Sequence, residues 1–375
     1  MARLHIFAPH RPGRSPSQRY RLEQYLSAVE ARGQAVVYAA LWDEADDRSL
    51  YRHGHLLGKA WILAKGLVRR WRQVRRVGPE DTVLVHREAF MVRGHFFEKA
   101  LRRRAKWFVF DMDDAIWRMD VSEANRNLRW LKDPAKTDRI IALADRVIAG
   151  NAYLADHARA INPATVVVPT VIDTRRYRAV PSNGTDRVTI GWTGSRTSTV
   201  HLVAALPMLR KVQERHGARV AFRVISDIAP PLPGLDVEHV PWNADTETRD
   251  LEPIDIGIMP MPDDEWSRGK CGFKGLQYMA MGKPVVLSHV GVNAAIVHPG
   301  VNGFLARTEA DWAEALGRLV EDADLRRRMG AEARRTVEQQ WSLHAWTDTF
   351  LRQLTPHNHT DQHDRPEEDP PGPRA

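Results

Sequence analysis

The sequence contains a single cysteine, Cys271, among its 375 residues. One cysteine cannot form an intrachain disulfide, so the chain fits a reducing compartment. No stretch is apolar over the length that a membrane-spanning helix needs, and the N-terminus lacks the long apolar core of a signal peptide. These absences predict a cytoplasmic protein with no intrachain disulfide and no membrane-spanning helix.

The composition is that of a soluble globular protein, with 43% hydrophobic and 27% charged residues. The length exceeds that of one typical core and predicts two domains. The net charge of +8 and the isoelectric point of about 9.7 favour partners that carry phosphates: a nucleotide, a nucleic acid or anionic lipid. The charge alone does not choose among them.

Strand-like and helix-like segments alternate along the chain in the rhythm of a parallel sheet covered by helices. The alternation breaks at the turn-rich Pro181–Gly184 and then resumes. We therefore predict two doubly wound α/β domains, at residues 1–180 and 181–342. Ligands of such sheets bind outside the carboxyl ends of the strands, so two facing domains would share one cleft. Residues 343–354 are predicted to form a helix that crosses back to the first domain.

The C-terminal segment, residues 355–375, is rich in proline, histidine and acidic residues. Such a composition cannot bury a core and predicts a disordered tail. Its histidines, His357, His359 and His363, could bind a metal ion, but nothing in the pattern fixes their geometry. We interpret them as part of a solvated low-complexity tail.

The first motif that indicates chemistry is IGWTGSRTSTVHL, residues 190–202. A strand ends near Trp192, and a glycine turn through Gly194 and Ser195 leads into a helix with hydroxyl residues at its start. Backbone N–H groups exposed in such a turn bind anions, and Arg196 adds a positive charge beside them. The alternative is a tight strand–helix turn with an arginine facing solvent.

The second motif is DDEWSRGKCGFKGLQYMAMGKPVV, residues 263–286. Lys270 lies in the loop that begins a helix, and Lys274 and Gln277 are three residues apart on one face of that helix. An ammonium and an amide on one face can hold phosphate oxygens and ribose hydroxyls. The alternative is a polar stripe on the surface, although the neighbouring Leu276, Tyr278 and Met279 favour a buried helix.

The segment Phe273–Val286, followed by SHVGVNAAIVHPGVNGFLA at 288–306, resembles the C-terminal half of a GT-B glycosyltransferase of family 4. The segments IGWTGS, PTVIDTRRY (169–177) and DLRRRMGAEARRTVEQQWSL (324–343) resemble the same family. The resemblance covers the chain to about residue 354. It implies a GT-B fold, with two Rossmann-like domains facing a cleft, and transfer of a sugar from a nucleotide-sugar donor with retention at the anomeric carbon.

The resemblance also implies roles for particular residues. Gly194, Ser195 and Arg196 would hold the donor diphosphate, and Trp242 would lie near the base. Gln277 would contact ribose or phosphate. The first domain would bind the acceptor, and the family generally needs no bound metal.

The sequence departs from the family pattern at the donor site. Gly269 and Gln277 stand where the family often carries two glutamates, and Trp192 stands where an arginine is common. Lys270 and Lys274 could supply the missing positive charge and stabilise the departing diphosphate. Because of these departures, a non-catalytic nucleotide- or sugar-binding protein is the second hypothesis.

In the first domain, the loop HRPGRSPSQRYR at 10–21 contains Gly13, which would let the backbone approach a donor phosphate. Its alternative is a surface loop with solvated arginines. The segment WFVFDMDDAIW at 107–117 ends a strand with Asp111, Asp113 and Asp114. These carboxylates could position the acceptor hydroxyl or the sugar, with His86 nearby, or they could form local caps and turns. An Asp-x-Asp after a strand also resembles haloacid-dehalogenase phosphatases, which is a third and weaker hypothesis.

The segment KAWILAKGLVRRWRQVRR, residues 59–76, has seven basic residues and no acidic one. Trp61, Ala64, Leu67, Val68 and Trp71 recur at helical spacing on one side. Such a helix either packs its apolar face on the first sheet or lies on an anionic membrane. Contact with nucleic acid is not expected, because no recognition motif accompanies the charge.

We therefore predict a retaining glycosyltransferase of hexosyltransferase type that acts in the assembly of a surface polysaccharide or glycolipid. Its donor would be a UDP-, GDP- or similar nucleotide sugar, and its acceptor a glycan or lipid-linked molecule. No permanently bound cofactor or metal is expected. The predicted location is the cytoplasm, with peripheral contact at the inner face of the membrane.

Overall fold

A computed structural model describes residues 2–50, 56–118, 133–180 and 187–356. The predicted break at Pro181–Gly184 and the predicted tail beyond residue 356 lie outside the described residues. The chain divides into two compact units. The first extends to Thr170 and includes the chain again from Trp346, and the second is Val171–Ala345.

The first unit contains a six-stranded sheet in which every strand pairs with its neighbours in parallel, in the order β2-β1-β3-β4-β5-β6. All five residues of β3 are buried, as expected for a strand covered on both faces. The strands are β1 (Arg3–Ala8), β2 (Ala35–Ala40), β3 (Thr82–His86), β4 (Trp107–Met112), β5 (Arg146–Ala149) and β6 (Thr165–Val167).

The helices of the first unit connect these strands, and they are α1 (Pro16–Arg21), α2 (Leu26–Ala31), α3 (Glu44–Leu50), α4 (Leu56–Arg75), α5 (Phe96–Arg104), α6 (Ala135–Leu143) and α7 (Ala152–Arg159). The sequence predicts one continuous helix over Ser17–Arg32. The structure instead has two short helices, because Leu22 leaves the helical region at φ −127° and a 3₁₀ turn follows at Glu23–Tyr25.

Helix α4 turns the side with Lys59, Ile62, Arg70 and Val74 toward the rest of the first unit. Arg70 is fully buried and donates hydrogen bonds to the carbonyl oxygens of Ala39 at 2.7 Å and Ala8 at 3.1 Å. Trp61 and Val68 on the opposite side are 70% and 53% exposed. The apolar face predicted for this helix therefore does not pack on the first sheet.

The second unit contains another six-stranded parallel sheet, in the order β12-β11-β10-β7-β8-β9. The strands β10 and β11 are fully buried, whereas no residue of the edge strand β9 is buried. The strands are β7 (Val188–Gly194), β8 (Val220–Ser226), β9 (Val237–Pro241), β10 (Ile256–Met259), β11 (Val285–Ser288) and β12 (Gly303–Ala306).

The helices that follow in the chain are α8 (Thr199–Ala204), α9 (Leu206–His216), α10 (Glu247–Leu251), α11 (Glu265–Arg268), α12 (Phe273–Ala280), α13 (Asn293–Ile296), α14 (Glu309–Glu321), α15 (Ala323–Gln340) and α16 (Leu343–Gln353). The predicted helix Val200–His216 is interrupted at Ala205, just before Pro207. Proline has no N–H with which to continue the helical bonds, so a new helix begins there.

The last helix, α16, continues into the first unit. Phe350 stacks on Tyr25 with ring centroids 4.0 Å apart. The indole N–H of Trp107 donates to the carbonyl oxygen of Gln353 at 3.0 Å, and the Thr82 hydroxyl donates to that of Leu354 at 3.2 Å. These contacts tie the C-terminal end of α16 to β3 and β4.

Candidate active site

The candidate site of the second unit begins where β7 ends. Trp192 is 1% exposed and belongs to the hydrophobic core of this unit. The next residue, Thr193, donates its backbone N–H to the Tyr278 hydroxyl of α12 at 2.7 Å. This hydrogen bond fixes α12 against the carboxyl end of β7.

A missing side chain lets α12 approach the sheet closely. A Cβ atom at Gly257 in β10 would lie 2.2 Å from the ring of Tyr278. Gly272 precedes the helix at φ +66°, a conformation that glycine adopts readily and that aims the chain into α12. The second residue of the helix, Lys274, is thereby placed over the end of β7.

Two lysines of this region rest on tryptophan rings. The Lys274 Nζ atom lies 4.7 Å from the ring centroid of Trp192, and the Lys270 Nζ atom lies 4.4 Å from that of Trp266. An ammonium over an indole face is attracted by the ring quadrupole. Among the described residues, no carboxylate forms an ion pair with Lys274.

The electrostatics of this cluster are unfavourable to further positive charge. Burial, together with the charge of Lys270, lowers the pKa of Lys274 to about 7. Burial and the charges of Lys274 and Lys270 also lower the pKa of His201 on α8, while Asp264 acts in the opposite direction. A bound anion would relieve this repulsion, so the cluster is suited to phosphate.

The predicted turn residues lie directly after Trp192. A Cβ atom at Gly194 would be 2.4 Å from the Trp192 ring and 2.6 Å from the Ser198 hydroxyl, so only glycine fits. Ser195 and Ser198 cap the short 3₁₀ turn reciprocally. The Arg196 side chain is 68% exposed, with its Nε atom 3.8 Å from Asp227 Oδ2, which is a weak surface contact.

Gln277 lies in a different environment from Lys274. Its side chain is 3% exposed. The amide nitrogen donates to the Tyr177 hydroxyl at 3.1 Å and to Glu247 Oε1 at 3.3 Å. Glu247 also accepts from the Trp242 indole N–H at 3.3 Å. Gln277 and Trp242 thus meet through Glu247, apart from the lysine cluster.

The carboxylates predicted in the first unit follow β4 and are held by Arg87. The Nε–H of Arg87 donates to Asp113 Oδ1 at 2.7 Å, and its terminal nitrogen pairs with Asp114. Arg87 has φ +62°, which is uncommon for a residue other than glycine. Burial opposes ionisation of Asp113, but Arg87 and His86 outweigh it and lower the pKa of this carboxyl.

A chain of hydrogen bonds joins these carboxylates through His86. Ser17 donates its hydroxyl proton to Asp113 Oδ2 at 2.5 Å, and the hydroxyl oxygen lies 2.7 Å from His86 Nε2. His86 Nδ1 lies 2.7 Å from Asp111 Oδ2. Ser17 therefore links Asp113 to His86, and His86 links Ser17 to Asp111.

Asp111 is fully buried and forms an ion pair with Arg21. Burial opposes ionisation, but Arg21 and His86 lower the pKa of the Asp111 carboxyl. A carboxylate so enclosed has no exposed oxygen for nucleophilic attack, which argues against the phosphatase hypothesis.

Gly13 is positioned by its backbone conformation. It has φ +80°, and no atom lies within 4 Å of the place where a Cβ would be. Its N–H donates to Glu23 Oε2 at 2.7 Å. The positive φ explains why glycine stands here, and the N–H already has an acceptor.

The structure therefore groups the predicted residues into three sets. Lys270 and Lys274 form one with the turn at Gly194, Trp242 and Gln277 form another, and Asp113 and Asp114 form the third. Sequence reasoning did not single out Ser17 and His201 within the segments at 10–21 and 190–202, and it missed Glu247, which lies in no motif. Across the described residues, no three metal-ligating side chains gather as a candidate metal site.

Part of the chain is similar in sequence to known glycosyltransferases. Residues 192–322 match the family model described as "Glycosyl transferases group 1". A stretch of 64 residues is 42% identical to D-inositol 3-phosphate glycosyltransferase of Nocardia farcinica; it covers 16% of this chain and 14% of that protein. The chain thus matches about one seventh of the curated relative's length.

The solved structures extend the similarity to the whole fold. Sucrose-phosphate synthase from Thermosynechococcus elongatus aligns with a TM-score of 0.70 at 15% identity, over 94% of this chain and 99% of that one. Anabaena HepE, solved in complex with UDP and glucose, aligns with a TM-score of 0.62 at 17% identity, over 94% and 99% of the two chains.

The fold, with its two parallel α/β units, is that of the GT-B glycosyltransferases. Residues 192–322, which match the group 1 glycosyltransferase model, lie in the second unit.

Proposed function

We propose that this protein transfers a hexose-type sugar from a nucleotide-sugar donor to a glycan or lipid-linked acceptor, with retention at the anomeric carbon. The family match and the GT-B fold support sugar transfer. The structural neighbour that holds UDP and glucose supports a nucleoside diphosphate sugar as the donor. Retention follows from the family resemblance, as does a role in assembling a surface polysaccharide or glycolipid.

Lys274 is the observation that carries the proposal. Its ammonium lies half-buried over Trp192 with no carboxylate paired to it among the described residues. Burying a cation without a counter-ion is costly, so the site is organised for an anion that is absent from the polypeptide itself. We assign that anion to the donor diphosphate.

The chemistry places the developing charge on this anion. The bond between the anomeric carbon and the diphosphate oxygen breaks, and the acceptor oxygen forms the new bond to the same carbon. The acceptor proton passes to the departing phosphate, so no separate general base is needed. Lys270 and Lys274 stabilise the leaving diphosphate, where negative charge grows in the transition state.

Other residues of the second unit complete the proposed donor site. Gly194 and Ser195 contribute the turn that closes over the diphosphate, and Arg196 reaches it from the exposed side. Trp242 lies near the base. Gln277 acts by fixing Glu247 and Tyr177 around that region, in addition to the ribose contact that the family resemblance implies.

We assign acceptor positioning to the first unit. Against the effect of burial, Arg87 and His86 lower the pKa of Asp113, and Arg87 also pairs with Asp114. Carboxylate oxygens placed in this way can accept hydrogen bonds from sugar hydroxyls. Gly13 lies in the loop before α1, where the family resemblance implies an approach of the backbone to the donor phosphates. The single cysteine supports the proposed cytoplasmic location.

The proposal is tested by incubating the purified chain with UDP-, GDP-, ADP- and dTDP-sugars and measuring the free nucleoside diphosphate, with and without glycan or glycolipid acceptors. One nucleotide class should give acceptor-dependent release. Lys274→Met should lower turnover by about 100-fold, as expected for loss of a group that stabilises developing charge.

Lys211→Met is the matched control, because Lys211 is an exposed lysine of the same unit paired with Glu309. It should leave turnover unchanged. Nucleotide binding without release of product under any acceptor would support the non-catalytic hypothesis instead. A strong loss of turnover in Gln277→Ala would dismiss that hypothesis.

A further inference from the structure

The outer face of α4 is the largest concentration of exposed apolar side chains among the residues that the structure describes. Leu57 is 89%, Trp61 70%, Val68 53% and Leu67 46% exposed. Phe96, at the start of α5, is 63% exposed. The other exposed large hydrophobic residues described are Val200 and Val301 in the second unit. Isolated exposed residues are ordinary, but a contiguous group marks an interaction surface.

The orientation of α4 is fixed by its inner side. Arg70 is fully buried on carbonyl oxygens at the ends of β1 and β2. Lys59 is only 5% exposed on the same side. Gly66 faces the ring of Trp42, which leaves no room for a Cβ atom there. A rotation that buried Trp61 would expose these groups, so the apolar face cannot turn inward.

The apolar face of α4 continues onto α5. The ring of Trp71 stacks on that of Phe96 with centroids 5.3 Å apart. We call the combined surface the α4 face, and it comprises Leu57, Trp61, Ala64, Leu67, Val68, Trp71 and Phe96. Because α4 has 20 residues, this surface runs for roughly 30 Å along the helix.

Positive charge borders the α4 face. Arg72 and Arg75 follow Val68 and Trp71 one turn further along the helix, and Arg76 comes directly after Arg75. Lys99 lies on α5, three residues after Phe96. Within the described part of the chain, no carboxylate pairs with any of these four cations. By contrast, Lys65 and Arg69 are paired with Asp43 and Asp46. The border is therefore cationic rather than neutralised.

We propose that the α4 face docks on an anionic phospholipid bilayer, with the axis of α4 in the plane of the membrane. Trp61, Leu57 and Val68 would enter the boundary between headgroups and acyl chains, where tryptophan is favoured. The cations at the border would contact lipid phosphates, because an anionic surface attracts them.

Charge argues for lipid over a second copy of the chain. A two-fold interface would bring the same surface of each copy together, so two copies of this cationic border would enter one contact. Like charges brought together in an interface are strongly disfavoured. No described helix is long and apolar enough to cross a bilayer, so contact would be peripheral. This inference is independent of the sugar-transfer reaction.

The test is co-sedimentation of the full chain with vesicles of phosphatidylcholine containing phosphatidylglycerol, and with vesicles of phosphatidylcholine alone. The wild type should bind the anionic vesicles more tightly, and added salt should weaken that binding. Trp61→Ser combined with Val68→Ser should reduce partitioning at least about tenfold, since each loses buried apolar area in the membrane. Arg72→Gln with Arg75→Gln should reduce it on anionic vesicles.

Val200→Ser with Val301→Ser is the matched control, because these residues are 60% and 52% exposed in the other unit. It should bind vesicles as the wild type does. All variants should melt near the wild-type temperature, since the replaced side chains are exposed. Failure of the wild type to bind, or equal binding by the Trp61→Ser/Val68→Ser variant, would overturn the proposal. A dimer that this variant abolishes, without vesicle binding, would assign the surface to a second copy instead.

Discussion

The charge on the single residue Lys274 should make nucleotide binding depend on pH. Its lowered pKa, about 7, means that its charge changes near neutral pH. A diphosphate binds the ammonium form, so affinity for a nucleoside diphosphate should fall as pH rises from about 6.5 to 8.5, by up to about tenfold per pH unit. Lys274→Arg should flatten this profile, because a guanidinium stays protonated. Titration calorimetry across this range measures both, and parallel profiles for the two proteins would contradict the assignment.

The same pKa predicts an effect on stability. The folded state binds fewer protons at Lys274 than the unfolded state between pH 7 and the ordinary lysine pKa of about 10.4, so stability contributed by this site rises over that window. Below pH 7 the folded state carries a charged lysine that is poorly solvated. Lys274→Met should therefore be stabilising at pH 6, on the order of 2 kcal/mol, and the gain should shrink toward pH 10. Denaturation midpoints at several pH values measure this gain, with Lys211→Met as the pH-independent control.

The carboxylate of Glu247 disfavours a second carboxylate at the position of Gln277. A glutamate at this position would place its carboxylate beside Glu247 in a buried site, which raises the pKa of the new group. A raised folded-state pKa means that stability is retained at low pH and lost as pH rises through it. Gln277→Glu should thus be strongly destabilised at pH 8 and recover toward pH 4. Gln213→Glu, at a more accessible glutamine of α9, should show no such recovery on thermal melting.

At the scale of elements, the contact between α12 and α15 depends on Gly330. A Cβ atom there would lie 2.1 Å from the carbonyl oxygen of Gly282, and backbone cannot move aside as a flexible side chain can. Gly330→Ala should destabilise the second unit by about 2–3 kcal/mol. It should also disturb nucleotide binding, because α12 carries Lys274.

Gly317 in α14 is the matched comparison. A Cβ there would meet the tip of Arg215 at 3.4 Å, an ordinary contact with a flexible side chain. Gly317→Ala should therefore stabilise by up to about 1 kcal/mol, through helix propensity. Denaturation midpoints of the two variants should move in opposite directions. Equal shifts would show that the close α12–α15 approach is not what Gly330 permits.

The sequence predicts strands more accurately than helix breaks. It predicts strands at Ala35–Ala40, Thr82–His86 and Val220–Ser226, which are the bounds that the structure has, because a short β-branched run between turns is a clear signal. The break at Leu22 has no such signal. Pro207 did offer one for the break between α8 and α9, since proline removes an N–H from the helix.

The direction in which α4 faces could not be predicted from its own sequence. Helical spacing tells which residues share a side, but either side can face the core. Arg70 fixes which side of α4 faces inward, because it donates hydrogen bonds to the carbonyl oxygens of Ala8 and Ala39 near the ends of β1 and β2. That requirement arises from residues distant in the sequence and exists only in the folded unit.

The residues of the candidate site also divide into those that the sequence indicates and those that only folding brings together. The sequence singles out the turn at Gly194, Lys270 and Lys274, because they belong to motifs with recognisable spacing. The partners of Gln277 were not, since Tyr177 and Glu247 are 100 and 30 residues away in the chain. Ser17 likewise gains its place only when β3 and β4 bring His86 and Asp113 to it.

Across the whole molecule, the excess of positive charge is proposed to attract two anionic partners. One is the diphosphate of the donor at Lys270 and Lys274, and the other is the bilayer beneath α4. Binding to an extended lipid surface neutralises several exposed cations and should be the more sensitive to salt. Binding at the half-buried Lys274 should be less so. Comparing nucleotide affinity with vesicle partitioning at low and high salt separates the two.

The most direct test of the proposed donor site at Lys274 is a thermal-shift screen of the full chain at pH 6.5. The ligands are UDP-, GDP-, ADP- and dTDP-sugars and their free diphosphates. A ligand at 100 times its Kd stabilises the native state by about 2.7 kcal/mol, which raises Tm by several degrees. We predict such a shift with one nucleotide class, and its loss in Lys274→Met but not in Lys211→Met. No shift with any nucleotide, or an equal shift in Lys274→Met, would contradict the account.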